Sequence, residues 1–533
     1  MHAAVAFAAA GALALTACGG GSGEADETTS ASSNKFTIAY NADGGHQAWV
    51  DAVANSVKNT LGIQAEGQPY ATFAELRSDV QDRKMTGAFR TGWQADYPSL
   101  YNFLGPLYGT GAGSNDGDYS NANFDELLSQ GLSATSVEEA NGFFDQAQEQ
   151  LFKDLPAIPL WYSNVTGGSS ESVTDVEFGW NSTPLYHAVK KATGDGVVLA
   201  NGSEPANPLL PGMTNETGGG RIMDELFQGL VSYQADGSPQ NEIAESITSE
   251  DSQTWTVKLE AGHTFSNGEA VTAKSFVDAW NYGALLSNAQ LGSYFFESIE
   301  GFSYDADSEL TGLTVVDDTT FTVKLTQPEA DFPLRLGYTA FMPLPSVAFE
   351  DMAAYGQNPI GNGPYTIAEG SWKHNESIDL IPNPSYDGPR TAQNNGVRFT
   401  FYTSQDTAYT DLLANNLDVL DAVPDSAFAT FKADLGDRAV NQAAAIFQSF
   451  TIAESLEHFS GEEGALRRQA ISMAIDREAI TEAIFQGTRT PASDYTSPVI
   501  AGWSDSLAGS EVLEFNPEKA KELWAEADAI SQW

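Results

Sequence analysis

The 533-residue sequence predicts an α/β protein built from two or three lobes. Three observations point there. Near its start the chain reads strand, helix, strand: Lys35–Tyr40 (KFTIAY) alternates apolar and polar residues, His46–Leu61 places apolar residues at helical spacing, and Ile63–Gln68 alternates again. The same change of period recurs past Val397. The chain also exceeds the roughly 100–200 residues of an ordinary domain, and its 41% hydrophobic content is ample for more than one core.

Taken in order, the elements follow from local chemistry. Gly62 supplies a C-cap for the first helix, and strand, helix and strand then make a βαβ unit. Phe124–Leu132 and Val137–Leu151 read as helices, and Pro156 and Pro159 break the chain before an aromatic strand around Trp161-Tyr162. From Gly194 the style changes. Val197–Leu199 opens a strand, a Gly/Pro/Asn-rich loop runs to Gly220, and Arg221–Gln228 is a short helix. Trp255–Leu259 and Thr320–Leu325 alternate cleanly, and Gly361-Asn362-Gly363-Pro364 turns into another strand. Arg467–Phe485 is an amphipathic helix pair, and Pro517–Ala527 is a helix with proline in its first turn. An α/β unit calls for a strand after that helix, yet Trp533 follows closely, while KFTIAY stands at the other end of the chain.

The balance of 72 acidic against 25 basic residues, net -47, repels nucleic acid and anionic lipid and disfavours both as partners. With only 18% charged residues and 11% aromatics, it is a solvated coat over a folded core rather than a disordered acidic tail. The single cysteine, Cys18, excludes an intramolecular disulfide and any multi-cysteine zinc site. It closes an apolar run, Ala3–Ala17, too short to span a bilayer. Leu15-Thr16-Ala17-Cys18 resembles a bacterial lipobox, which implies a signal peptide over 1–17, acylation of Cys18 into the bilayer, and a Gly/Ser-rich tether over 18–33. An ordinary secretory signal is the alternative, and the Met1-His2 start lacks the usual Lys or Arg. The six histidines are scattered, with no HExxH, no G-x-S-x-G and no P-loop, so no catalytic residue, metal or cofactor is expected. Gly218-Gly219-Gly220 precedes a helix but lacks the lysine a phosphate loop needs.

Seven segments carry a family resemblance. They are Asn201-Gly-Ser-Glu-Pro-Ala-Asn-Pro; Leu226-Phe-Gln-Gly-Leu-Val; Ala244-Glu-Ser-Ile with Thr254-Trp-Thr-Val-Lys-Leu; Phe265-Ser-Asn-Gly-Glu-Ala-Val-Thr-Ala; Gly361-Asn-Gly-Pro-Tyr; Arg467-Arg-Gln-Ala-Ile-Ser-Met-Ala-Ile-Asp-Arg; and Gly92-Trp-Gln-Ala-Asp-Tyr-Pro. Together they resemble the oligopeptide/dipeptide class of extracellular solute-binding proteins of ABC importers. Their order departs from that family: the segment like 193–533 comes first there and the segment like 34–191 last, so the chain looks circularly permuted. The resemblance implies a two-lobed, type II periplasmic-binding-protein-like fold with hinge strands and an extra subdomain in lobe one. On this order lobe one is 163–398, lobe two is split between 34–162 and 399–533, and the hinges fall near Trp161-Tyr162 and Phe399–Tyr402. It also implies an extracytoplasmic, membrane-anchored monomer that hands peptides to ABC importer membrane subunits.

In Arg90-Thr91-Gly92-Trp93-Gln94-Ala95-Asp96-Tyr97 the resemblance makes Asp96 the partner of a peptide's ammonium group, a pair that low dielectric strengthens. The backbone of Gly92, Trp93 and Gln94 would pair with the peptide as an added strand, Trp93 would wall a side-chain pocket, Arg90 would take a carboxylate, and Tyr97 completes the ligand segment. The residues alone, without the resemblance, favour a core Trp93 and an Arg90–Asp96 structural pair. Asn215-Glu216-Thr217 matches a ligand-facing loop of lobe one, or else a plain surface loop. Binding of an oligosaccharide, a metal chelate or another small solute by the same fold stays open, and an adhesin is the weaker rival.

Overall fold

The computed structural model describes residues 34–214 and 216–533. The signal, Cys18 and tether expected over 1–33, and Asn215, lie outside the described residues.

An 11-stranded mixed sheet organises the chain. Its strands, in chain order, are β1 (Lys35–Asn41), β2 (Gln64–Tyr70), β3 (Ala88–Gln94), β4 (Ala157–Ser169), β5 (Val198–Gly202), β6 (Tyr365–Ile367), β7 (Ser377–Pro382), β8 (Val397–Phe401), β9 (Val419–Leu420), β10 (Ala439–Thr451) and β11 (Arg489–Pro491). They run in space β6-β7-β8-β5-β9-β4-β10-β3-β1-β2, with β11 beside β4. β1 and β2 pair in parallel around the helix α1 (Gln47–Leu61), which ends at Gly62 in the left-handed region (φ 74°), as the βαβ reading requires.

One end of the sheet, β6 to β9, carries the larger core. An antiparallel four-stranded sheet adjoins it, made of Ala244–Thr248, Thr254–Leu259, Thr320–Lys324 and Leu313–Asp317. It packs with the Ala273–Ala284 helix into that core around Trp280, Phe321 and Phe341. These strands fall within 163–398, the part of the chain where the sequence places an extra subdomain. The other end, β3-β1-β2, is flanked by α1 and by α2 (Ala122–Leu132), α3 (Val137–Asp154), α5 (Gly461–Met473), α6 (Arg477–Phe485) and α7 (Pro517–Ile530), where α4 denotes the intervening Thr217–Leu226 helix.

β4 and β10, each 13 residues long, join the two ends. The first half of β10 pairs with the second half of β4 (Ala439↔Gly168), and its second half pairs with both β4 and β3 (Phe447↔Tyr162, Phe447↔Trp93). The second crossing therefore lies in β10 rather than at Phe399–Tyr402. Parallel pairing from Val397↔Val198 to Phe401↔Gly202 holds that segment beside β5, and 408–435 form a cluster with Leu199 and Tyr402 on the same end.

Two local readings shift. Pro159 lies inside β4 instead of ahead of it, at a register irregularity opposite Ser449, where a residue without an N–H is tolerated. α4 starts at Thr217 rather than Arg221, so the glycine run forms its first turn, capped by Glu216, whose Oε1 accepts from Gly219 N at 2.9 Å.

Candidate functional site

Where β4 and β10 cross between the two ends lies an open-mouthed cavity of about 740 Å³. β3 delivers Gln94 and Asp96 to one wall, and α4 delivers Thr217, Arg221, Asp224 and Glu225 to another. Cross-links hold the walls together. Gln94 Nε2 donates to Asn181 O (3.3 Å), Ser99 Oγ donates to Asp331 Oδ2 (2.8 Å), and the Arg335 guanidinium lies 5.3 Å from the Tyr97 ring centre.

Asp96 makes one weak side-chain contact, from Asn102 Nδ2 to its Oδ2 at 3.5 Å, and no ion pair among the described residues. Burial pushes its carboxyl up to about 6, against the opposing pull of Asn102. Asn102 fixes the segment: its Oδ1 accepts from Asp96 N (2.9 Å) and from Trp93 Nε1 (3.1 Å). The aromatic residues Trp180, Tyr233 and Tyr338 line the same wall, with Trp180 edge-on to Tyr233 at 5.5 Å.

The cavity's cations differ in their commitments. Arg221 pairs with Asp421. Arg390 pairs with Glu242 through Nε at 2.9 Å and also donates to the carbonyls of Asp224 and Phe227. Arg489, on β11, makes no ion pair among the described residues. It donates to Thr488 O (2.7 Å) and lies over the Phe485 ring, and burial lowers its pKa while the charge of Asp425 on the cavity wall opposes that shift. His187 is held down to about 4 by burial and by Arg390, which leaves it neutral.

The residues expected from sequence separate into two groups. Asp96, Gln94, Glu216 and Thr217 meet at the large cavity, with the carboxylate of Glu216 engaged as the helix cap. Arg90, Gly92 and Trp93 line a second cavity of about 250 Å³. Arg90 does not pair with Asp96; its Nη1 donates to Asn41 Oδ1 at 3.1 Å. Tyr97 is buried beneath Arg335 and lines neither of these cavities, because the chain turns after Asp96 and carries it into the core. The backbone from Arg90 to Gln94 pairs with β10 on one side, while β1 pairs with β3 only at Ala88 and Phe89, so no described strand occupies the other edge. Sequence reasoning missed Arg489 and the Asp224-Glu225 pair. Nothing in the Arg489 segment marks it before the Arg489↔Ser163 pairing of β11 with β4 is known. Chemically, the site offers a carboxylate, a distant guanidinium and an open strand edge, with no group of three or more His, Cys, Asp or Glu side chains placed to hold a metal among the described residues.

Residues 238–532 match the bacterial extracellular solute-binding proteins, family 5 Middle. Curated relatives include the oligopeptide-binding protein OppA of Bacillus subtilis (strain 168), 27% identical over 320 residues, 56% of either chain. The dipeptide-binding protein DppE of the same organism is 26% identical over 359 residues, 63% of either chain. This chain thus spans less than two thirds of the length of these relatives. Among solved structures, the periplasmic murein tripeptide binding protein MppA, unliganded and open, superposes with a TM-score of 0.53 at 23% identity, over 63% of this chain and 66% of that one. HbpA2 from Haemophilus parasuis gives 0.50 at 22% identity, over 62% and 66%. The likeness is one of fold: two lobes around a mixed sheet.

Proposed function

The chain belongs to family 5 of the bacterial extracellular solute-binding proteins, and from that membership we propose that it captures peptides in the 740 Å³ cavity and passes them, unaltered, to an ABC importer. Asp96 carries the reading. It is a half-buried carboxylate on a cavity wall with no cation of the described residues beside it, which is the complement of a peptide's ammonium group. The oligopeptide- and dipeptide-binding names of the relatives support the same ligand class.

The open edge of β3 from Arg90 to Gln94 suits strand addition by the peptide backbone, which gives affinity independent of sequence. Trp93 and Arg90 then wall a side-chain pocket in the second cavity, Glu216 and Thr217 close from the opposite wall, and Arg489 takes the peptide's carboxylate. A peptide added along β3 does not run toward Arg489, which lies roughly 15 Å from Asp96 across the β3-β10-β4-β11 spacings; only a peptide of about four residues that spans the cavity in that direction reaches both. The role is extracytoplasmic and monomeric, with Cys18 acylated and 19–33 as tether, and the net charge of -47 disfavours nucleic acid. None of the described helices is long and apolar enough to cross a membrane.

The segment order is read as exchanged relative to the family. Three observations support it. The relatives are matched over little more than half to just under two thirds of either chain, the extent of the segment after Thr193. The start of β1 and the end of α7 both approach the α5 region: the Phe36 ring lies 6.3 Å from that of Phe459, just before the helix, and Arg467, at the helix middle, donates through Nη2 to Ser531 O at 2.6 Å.

Native mass spectrometry of the purified protein tests the ligand class. The expected result is a bound mass in the peptide range, released on denaturation and sequenced by fragmentation. A bound sugar or chelate in its place would overturn the assignment.

A further inference from the structure

Two carboxylates on the last turn of α4, Asp224 and Glu225, stand on the cavity wall without a cation of their own. The neighbouring arginines are committed elsewhere, Arg390 to Glu242 and Arg221 to Asp421. Among the described residues neither acid makes a side-chain ion pair or hydrogen bond, and Glu225 is only 3% exposed with its Oε2 unpartnered. An uncompensated buried carboxylate is expensive, several kcal/mol per ion in a typical interior. The fold meets that expense by resisting ionisation. Burial pushes Glu225 up to about 8, with Asp224 and Glu242 adding to it and Arg390 opposing, and it pushes Asp224 up to about 6.

Glu225 is buried and Asp224 half-buried, with Arg390 and Arg221 acting on the Asp224 carboxyl only through space, and two acids so placed are poor packing in a protein that binds nothing there. The arrangement becomes favourable when a ligand brings the missing positive charge. Tyr233 and Tyr338, which line the same cavity, feel the charges of both Asp96 and Asp224, so one ligand in that cavity lies within electrostatic reach of both carboxylates. We propose that Asp224 and Glu225 form an acidic subsite for the ammonium or guanidinium of a lysine or arginine side chain near the amino end of the bound peptide, a specificity that rests on the peptide reading above. The subsite makes the protein a selector of basic peptides. It is distinct from Asp96 because it sits on α4 rather than in the segment after β3, and from the ion pairs around it because Arg390 and Arg221 are paired with Glu242 and Asp421.

The test uses the full chain and calorimetric titration with peptides of about four residues, uncharged in their other side chains, that differ only by lysine or norleucine at position one, two or three. The expected result is at least about tenfold tighter binding of the lysine form at one of these positions, with the ratio falling to about one in the Asp224→Asn/Glu225→Gln protein. Glu225→Gln alone should reduce the ratio in the same direction, and neither variant should melt below the native protein, since each removes an uncompensated acid. Equal binding of lysine and norleucine peptides at all three positions of the native protein would overturn the subsite, as would a ratio that survives the double substitution. If norleucine peptides bind and lose affinity on amino-terminal acetylation but lysine gives no advantage, only this inference fails. If no peptide binds at all, the peptide reading fails and takes the subsite with it.

Discussion

Burial holds Asp96 up to about 6, and a ligand ammonium pairs only with the ionised form. The sign of the pH dependence follows. Below about pH 6 a proton must leave before the pair can form, so affinity for an uncharged-side-chain peptide should fall by up to about tenfold per pH unit, and it should level off as the pH rises above 6. Titrations between about pH 5 and about pH 7 check this, and Asp96→Asn should flatten the profile; a flat native profile would remove Asp96 from the site. Arg489→Gln should weaken free-acid peptides of about four residues by roughly tenfold or more while leaving their carboxamides little affected. Carboxylate sensitivity that follows Arg90 instead would move that anchor to the second cavity. Asp96 and Glu216 were legible in the sequence because they lie in short, marked segments. Arg489 and Glu225 were not, since their meaning comes from what fails to pair with them across long stretches of chain.

The α4 helix shows how an element can hide behind its composition. Three glycines in a row read as loop, because each loses backbone entropy that a helix must recover elsewhere. Here Glu216 caps the turn, and tight packing explains two of the three: a Cβ on Gly218 would stand 2.5 Å from Ser203 Oγ and 2.8 Å from Ser203 O, and one on Gly219 would stand 2.5 Å from the capping Glu216 Oε1. Gly218→Ala should therefore destabilise the protein by about 1–3 kcal/mol. A methyl group on Gly220 would meet nothing within 4 Å, so Gly220→Ala should instead stabilise by about 0.4–1 kcal/mol through a less flexible unfolded chain. Denaturant melts of the two variants should move in opposite directions; a shared direction would contradict the packing argument. The strands were easier to read, since Lys35–Asn41 and Thr254–Leu259 alternate with a period of two. β4 was harder, because Pro159 is a strand breaker everywhere except at an irregularity that only the β10 pairing creates.

For the molecule as a whole, the two-lobed α/β plan was legible from periodicity and motif, but the second crossing was not. Sequence rhythm resumes at Val397, and only the parallel pairing of β8 with β5 reveals that the chain stays at the first end until β10. The proposed exchange of segments has its own test: a chain reopened between Lys191 and Gly194, with residue 533 joined to residue 34, should fold with a similar melting temperature and ligand affinity. Loss of folding would argue against it. Peptide capture, as proposed, turns on one charge pair at the cavity wall. Removing the partner of a buried ammonium costs about 3–5 kcal/mol, so Asp96→Asn should weaken peptide binding by roughly a hundredfold or more. Amino-terminal acetylation should weaken native binding comparably and have little further effect in Asp96→Asn. The direct measurement is a calorimetric cycle of native and Asp96→Asn protein against free and acetylated forms of one peptide: strong coupling between the substitution and acetylation is the expected result, and native affinity unchanged by acetylation would contradict it.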